Sequence, residues 1–327
     1  MFLILLATFL LLAAFLLLPA LAAAAPIRKP LSEESPYIQA APAYDVEEAR
    51  RYIPVLPAIR DLADRIPEDD SLTMLGQSSP SAESLTLLDR EIRRLSMDHH
   101  QVSLIMADLK TQTMLSYRSA VPMCSQSTIK AIYVGAVIES MPESLAENGQ
   151  WMHDAIVYSD NESYELLRQR YGKGPILKWC LEAGVDPAFA DPLYPRDRTA
   201  REMFKMWTRL YVFLNHDTTG FAAYYADSLA SATRLQLKLP LQSKAGWEHG
   251  LPEERLFDPA EIPLQYRDGN PLNDECAIND TGVVYTDRGP YLFVIYTDHP
   301  YVAVEGCPHP LLNIVKLLYN VQQSIRS

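Results

Sequence analysis

Residues 127–139 read STIKAIYVGAVIE, the most apolar helical stretch outside the first 25 residues. It has no polar face, so the pattern predicts a helix buried in the middle of the fold. Lys130 lies inside this apolar run, where a solvated lysine is not expected. The predicted helix therefore carries an amine into the protein interior, three residues after Ser127.

Strands are predicted on both sides of this helix along the chain. Residues 102–109 and 114–118 form one predicted antiparallel hairpin, and residues 282–286 and 291–297 form a second near the end. The first strand is apolar on both faces, which requires helices on both sides of the sheet.

Helical periodicity accounts for much of the remainder. It predicts amphipathic helices over residues 81–97 and from Leu311 to Val321, and mostly helical structure over 151–183 and 199–232. The fold class is therefore α+β, an α/β sandwich in which the terminal helices and both hairpins share one sheet.

The first 25 of the 327 residues contain no charge and end in a small-residue tract. This order is typical of a secretory signal peptide, which we assign to residues 1–24, with cleavage after Ala24 and no stable membrane span afterwards. An uncleaved anchor is the alternative, since about 20 apolar residues can span a bilayer. Both interpretations place the protein outside the cytoplasm. Residues 25–80 are rich in proline and are predicted to be a spacer, with the globular domain over 81–327.

Charge and cysteine content exclude several classes of protein. Against 29 Lys and Arg stand 41 Asp and Glu, a net charge of −12, so a nucleic-acid or anionic-membrane partner is not expected. The four cysteines are Cys124, Cys180, Cys276 and Cys307, and no two of them form a C-x-x-C pair. They could form one or two disulfides or remain buried thiols. We expect no metal or organic cofactor, and a monomer.

Ser127 and Lys130 bear a hydroxyl and an amine on one face of the first turn of the predicted helix. A serine needs a base to act as a nucleophile at neutral pH, and a desolvated amine can serve because burial lowers its pKa. Such a Ser-x-x-Lys match occurs by chance about once in a chain of this size. The apolar setting of Lys130 raises its significance.

Three later motifs are individually weak. Ser159-Asp160-Asn161 also fits a simple helix cap, and Lys244-Ala245-Gly246-Trp247 a surface turn. The third, Asn279-Asp280-Thr281-Gly282-Val283-Val284-Tyr285, opens the last hairpin. Their order along the chain carries more information than any one of them.

In that order the motifs resemble those of penicillin-recognising serine hydrolases, most closely class A β-lactamases. The resemblance runs from about Ala82 to the C-terminus and extends to the flanking Pro122-Met123 and Tyr158. It implies a five-stranded antiparallel sheet flanked by helices, with an all-helical lobe between the second and third strands. The short interval from Ser127 to Ser159 implies that this lobe is trimmed.

The resemblance also implies roles for the site residues. Ser127 would attack an amide carbonyl and become acylated, with Lys130 as its base. Ser159 would pass a proton to the departing nitrogen, and Asn161 would orient Lys130. Lys244 would keep Lys130 neutral by like-charge repulsion.

Substrate contacts are implied for Ala245, Gly246 and Trp247. The backbone N–H groups of Ser127 and Trp247 would form the oxyanion hole. Here the sequence departs from the family pattern, because Ala245 stands where a Thr or Ser hydroxyl normally binds the substrate carboxylate.

A second departure concerns the loop that resembles Arg196-Asp197-Arg198-Thr199, where class A enzymes carry the Glu that activates the deacylating water. Residues 185–200 contain no Glu; their acids are Asp186, Asp191 and Asp197. Without a positioned base, deacylation would lose a contribution of about 10²- to 10⁴-fold.

Three functions remain open at this point. The first is an exported serine hydrolase of the class A β-lactamase type, acting on small-molecule β-lactams. The second keeps the acyl-enzyme chemistry but acts on a cell-wall D-Ala-D-Ala peptide. The third is a binding or sensing module that becomes acylated with little or no turnover.

Overall fold

The computed structural model describes residues 44–97, 100–191, 197–216, 220–232, 239–248, 277–298 and 311–325. All of them belong to one compact unit, Gln39–Ser327. The predicted signal peptide, and Cys276 and Cys307, lie outside the described residues. Cys180, which is described, is a buried free thiol.

The elements follow the predicted α+β order. The helices are α1 (Val46–Arg50), α2 (Leu56–Asp64), α3 (Ala82–Leu95), α4 (Ile129–Ser140), α5 (Ser144–His153), α6 (Asn161–Tyr171), α7 (Gly174–Ala183), α8 (Ala200–His216), α9 (Phe221–Ala232) and α10 (Leu312–Ser324). The strands are β1 (Thr73–Leu75), β2 (Val102–Asp108), β3 (Thr113–Tyr117), β4 (Pro122–Cys124), β5 (Asp197–Thr199), β6 (Leu241–Glu248), β7 (Ala277–Val284) and β8 (Tyr291–Thr297).

The main sheet of the described residues has six antiparallel strands in the order β1-β3-β2-β8-β7-β6. The expectation of five strands is therefore wrong by one edge strand. The additional strand, β1, pairs Met74 with Leu115 of β3. With only three residues, β1 is too short for alternation of apolar and polar residues to indicate it.

Helices cover both faces of this sheet, as the apolar strand β2 requires. Leu104 and Met106 face α3 and α10 in one core, whereas Ile105 and Ala107 belong to the core that holds α4 and α8. Successive strand residues point to opposite faces, so one strand serves two cores. The sandwich predicted from the sequence is confirmed.

Helix α4 lies in the middle of the second core. Its residues Ile129–Ile138 are all buried, including Lys130. The helices α4–α9 lie between β3 and β6 along the chain, as expected for the helical lobe, but this segment also contains the short paired strands β4 and β5 and is not all-helical. The buried helix predicted from residues 127–139 is thus present, preceded by a 3-10 turn over Gln126–Thr128.

Part of the range predicted to be a spacer is folded onto the domain. Ile59 of α2 and Ile66 are buried in the same core as α4. The Lys205 amine of α8 binds the Asp64 carboxylate at 2.9 and 3.0 Å. The domain boundary predicted at residue 81 therefore lies inside the folded unit.

Two of the prolines that indicated a spacer occupy helix starts. Pro54 and Pro57 lie in the first turns of the 3-10 helix Ile53–Val55 and of α2. Proline is tolerated there because the first N–H groups of a helix have no intrahelical partner. No helix in the described part of the chain is long and apolar enough to cross a membrane.

Candidate active site

The 3-10 turn Gln126–Thr128 positions Ser127 at the start of α4. Gln126 has φ of +48°, an uncommon backbone conformation for a residue other than glycine. The turn is closed by Thr128, whose backbone N–H and hydroxyl both donate to the Ser125 carbonyl, at 3.3 and 2.5 Å. Ser127 itself is 5% exposed, so its hydroxyl lies at the edge of the interior.

Lys130 is fully buried. Its amine is bound by acceptors in the segment that directly follows the π-helical turn Asp154–Tyr158. The Lys130 Nζ donates to the Ser159 carbonyl and to Asn161 Oδ1, both at 2.6 Å. Burial lowers the pKa of Lys130 to about 7, and the negative charge of Asp160 opposes this shift. A substantial fraction of Lys130 is thus the neutral amine near neutral pH.

Ser159 adopts a left-handed backbone conformation, with φ of 58°. Asp160 then caps α6 by accepting from the Ser163 N–H at 2.7 Å, so the helix-cap interpretation of this motif is also correct. The Ser159 hydroxyl accepts from the Lys244 Nζ at 3.0 Å. Two buried amines therefore meet at one serine.

Strand β6 brings its residues against the turn that carries Ser127. A Cβ atom added at Gly246 would lie 2.7 Å from the Ser127 backbone N and 2.9 Å from that of Thr128. Only glycine permits this approach of two backbones. Ala245 is buried and offers no hydroxyl, and the Trp247 backbone follows in register with Ile278 of β7.

A second strand, β7, holds the segment before Ser127. The Asn279 side chain of β7 donates to the Cys124 carbonyl at 2.6 Å and accepts from the Thr297 N–H at 3.0 Å. It thereby joins β4 to the centre of the sheet. The sequence motif contained Asn279 but gave it no role.

Within the described residues, Lys130 makes no hydrogen bond to a carboxylate of the loop between α7 and α8, where Asp191 is half-buried. Asp186 is exposed and caps the 3-10 turn Pro187–Ala190, and Asp197 is exposed. The ring of Tyr164 lies over the amine, 5.5 Å from Nζ to the ring centroid. The ring supplies no base, because burial raises the pKa of the Tyr164 phenol.

Of the predicted site residues, the structure joins Lys130 to Ser159 and Asn161, and Lys244 to Ser159, and it places Gly246 against Ser127. Sequence reasoning missed the roles of Ser125 and Tyr164. Within the described residues no group of three or more His, Cys, Asp or Glu side chains could hold a metal ion.

A buried serine, an amine whose pKa is lowered to about 7 by burial, and a second amine bound to Ser159 are groups that can serve acyl transfer to serine. A family model described as the β-lactamase enzyme family matches residues 144–320, more than half of the chain. The chain belongs to this family. The match to the β-lactamase family includes Ser159, Asn161 and Lys244 and begins after α4, which carries Lys130.

Solved β-lactamase structures share the fold. TLA-3 extended-spectrum β-lactamase has a TM-score of 0.53 and 12% identity over 72% of this chain and 98% of its own. The β-lactamase of Streptosporangium roseum has a TM-score of 0.52 and 15% identity, over 75% of this chain and 100% of its own. The β-lactamase of Desulfarculus baarsii has a TM-score of 0.50 and 16% identity, over 72% of this chain and 96% of its own. A comparison with curated proteins finds no match.

Proposed function

We propose that this β-lactamase family member opens β-lactam or related amide bonds through an acyl-Ser127 intermediate. The observation that carries the proposal is the buried Lys130, whose pKa is lowered to about 7 and which lies one helical turn after Ser127. A base with a pKa near the working pH combines the correct protonation state with effective proton transfer.

We propose the following steps for acylation. Ser127 Oγ attacks the carbonyl carbon of the amide, and its proton passes to the neutral amine of Lys130. The tetrahedral intermediate then collapses as the C–N bond breaks. Ser159 Oγ donates a proton to the departing nitrogen and is itself resupplied from the Lys244 ammonium, 3.0 Å away.

Hydrolysis of the acyl-enzyme is the slow step in this proposal. It needs a base for the attacking water, and the described acceptors around Lys130 Nζ are carbonyls and an amide. Tyr164 presents an aromatic ring to the amine. Loss of a general base costs about 10²- to 10⁴-fold, which favours a long-lived acyl-enzyme.

That observation also supports a second candidate, a covalent β-lactam-binding or sensing module with little turnover. A cell-wall D-Ala-D-Ala peptide is the remaining substrate class. Ala245 weakens recognition of a substrate carboxylate in either case, since it lacks the hydroxyl of a Thr or Ser. The uncharged leader supports action outside the cytoplasm, where both substrates occur.

Intact mass after exposure to benzylpenicillin, combined with a chromogenic cephalosporin assay, tests the proposal. We expect one penicilloyl adduct per chain on the wild type and none on Ser127→Ala. Ser140→Ala, an exposed serine at the other end of α4, is the matched control and should be labelled like the wild type.

The kinetics then separate the candidates. A burst followed by steady turnover supports hydrolysis, and a stoichiometric adduct without turnover supports the binding module. Cleavage of an acyl-D-Ala-D-Ala peptide without turnover of the cephalosporin supports the peptidase. Absence of an adduct with both penicillin and the acyl-peptide overturns the assignment of Ser127.

A further inference from the structure

Arg198 is buried beside the turn Gln126–Thr128, which bears Ser127, and its guanidinium binds two separate parts of the chain. Its Nε and Nη2 donate to the Phe189 carbonyl at 3.2 and 3.1 Å, and Nη2 lies 3.5 Å from the Asp191 carbonyl. Its Nη1 donates to the Ser125 hydroxyl at 3.0 Å. The guanidinium thus connects the loop after α7 to the residue two positions before Ser127.

Ser125 receives hydrogen bonds at both of its oxygens. Its carbonyl accepts from the N–H and the hydroxyl of Thr128, which closes the turn around Ser127. Its hydroxyl accepts from Arg198. The Ser125 carbonyl binds Thr128, and Ser127 lies between these two residues in the chain. A displacement of Ser125 therefore also displaces Ser127.

The backbone of Arg198 strengthens this connection. Arg198 lies in β5 and pairs with Met123 of β4, the strand that leads into the turn. Its guanidinium also lies 5.1 Å from the centroid of the Phe189 ring. A planar group with several donors is needed to satisfy these partners together, which a lysine amine cannot do.

We propose that Arg198 is a positioning residue that fixes the turn bearing Ser127 through the hydroxyl of Ser125, and so sets the rate of acylation. The predicted effect on the acylation rate rests on the proposed function. The predicted effect on the conformation of the turn does not. A displacement of about 1 Å at a reacting group can cost about 10²-fold in rate.

A double-mutant cycle tests the proposal. The variants are Arg198→Gln, Ser125→Ala and the double variant, with Arg198→Lys as the conservative replacement. Arg201→Gln is the matched control, because the Arg201 side chain binds the Ile66 carbonyl, away from the turn. The measurements are the second-order rate constant of acylation by benzylpenicillin, the Tm, and hydrogen exchange of the peptide spanning residues 122–130.

We expect Arg198→Gln and Ser125→Ala each to slow acylation by about 10- to 100-fold, and the double variant to be no slower than the worse single one. Hydrogen exchange of the turn should rise in all three. Arg198→Lys should not restore the rate, and Arg201→Gln should change the Tm alone.

Additive effects on acylation, or unchanged exchange of the turn in Ser125→Ala, overturn the proposal. Ser125→Ala removes one oxygen atom, so it decides the matter even if Arg198→Gln fails to fold. If benzylpenicillin does not acylate the wild type, the proposed function fails. The exchange measurement alone then decides whether Arg198 fixes the turn.

Discussion

Lys130 and Lys244 bind the same residue, Ser159, through two different atoms. The Lys130 amine contacts its carbonyl at 2.6 Å, and the Lys244 amine contacts its hydroxyl at 3.0 Å. The left-handed backbone at Ser159 allows one residue to present both oxygens to the interior. Each amine thus has its own oxygen, so in the proposed mechanism the base, Lys130, and the proton donor, Lys244, contact different atoms of Ser159.

The acylation rate should rise with pH through a midpoint near 7. Lys130 is the base only when neutral, and burial lowers its pKa to about 7, so the reactive fraction grows from pH 6 to 8 and then levels off. The measurement is the second-order rate constant of acylation across this range. A profile that falls with pH would contradict Lys130 as the base.

Asp160→Asn should move this midpoint to lower pH. The Asp160 charge raises the pKa of Lys130, so its removal favours the neutral amine. Asparagine is also a preferred helix N-cap, so α6 should keep its start. The same pH series on this variant is the test, and a midpoint displaced to higher pH would refute the electrostatic argument.

Stability should depend on Lys130 in a defined pH window. Its folded pKa lies below the unfolded value, so the unfolded chain binds more protons between about pH 7 and pH 10.5, and stability rises with pH across that window. Lys130→Met should remove this part of the pH dependence. Parallel curves of Tm against pH for the two proteins would contradict the burial of a neutral amine.

Lys244→Met should slow acylation by about 10²- to 10⁴-fold, the usual contribution of a proton-transferring group. Ser159→Ala should have a similar effect, and the double variant little more, because both changes break one proton path. Lys316→Met, an exposed residue of α10, is the control and should retain the wild-type rate. Additive losses would place Lys244 outside the path through Ser159.

Gly246→Ala should abolish acylation. The new Cβ would lie 2.7 Å from the Ser127 backbone N, and neither backbone can move away without displacing the turn or β6. Gly174→Ala, where nothing lies within 4 Å, is the matched control and should leave acylation unchanged. Labelling of Gly246→Ala at the wild-type rate would show that the strand does not restrain Ser127.

The sequence was sufficient for features set by local chemistry. The apolar run around Lys130 predicted a buried helix because no arrangement on a surface could hide so many apolar side chains. Asp160 and Ser81 start helices, as their residue types favour. Contacts across the site were not predictable from the sequence. Asn279 and Cys124, for example, are 155 residues apart in the chain and come together only when the sheet forms.

The contacts of Arg198 had no signal in the sequence. An arginine in a polar loop is ordinarily solvated, and its burial depends on where Phe189 and Ser125 lie in the folded chain. The packing of the N-terminal helices onto the domain was missed for a different reason. Frequent prolines suggested a spacer, whereas Pro54 and Pro57 occupy helix starts and Ile59 is buried in the core.

Two restraints on the turn that bears Ser127 come from residues synthesised long after it. Cys124 is held by Asn279, 155 residues later, and the turn is also in contact with Gly246. A partly synthesised chain lacks these later partners. Ser127 therefore acquires its contacts with the sheet late, when the C-terminal strands have joined it.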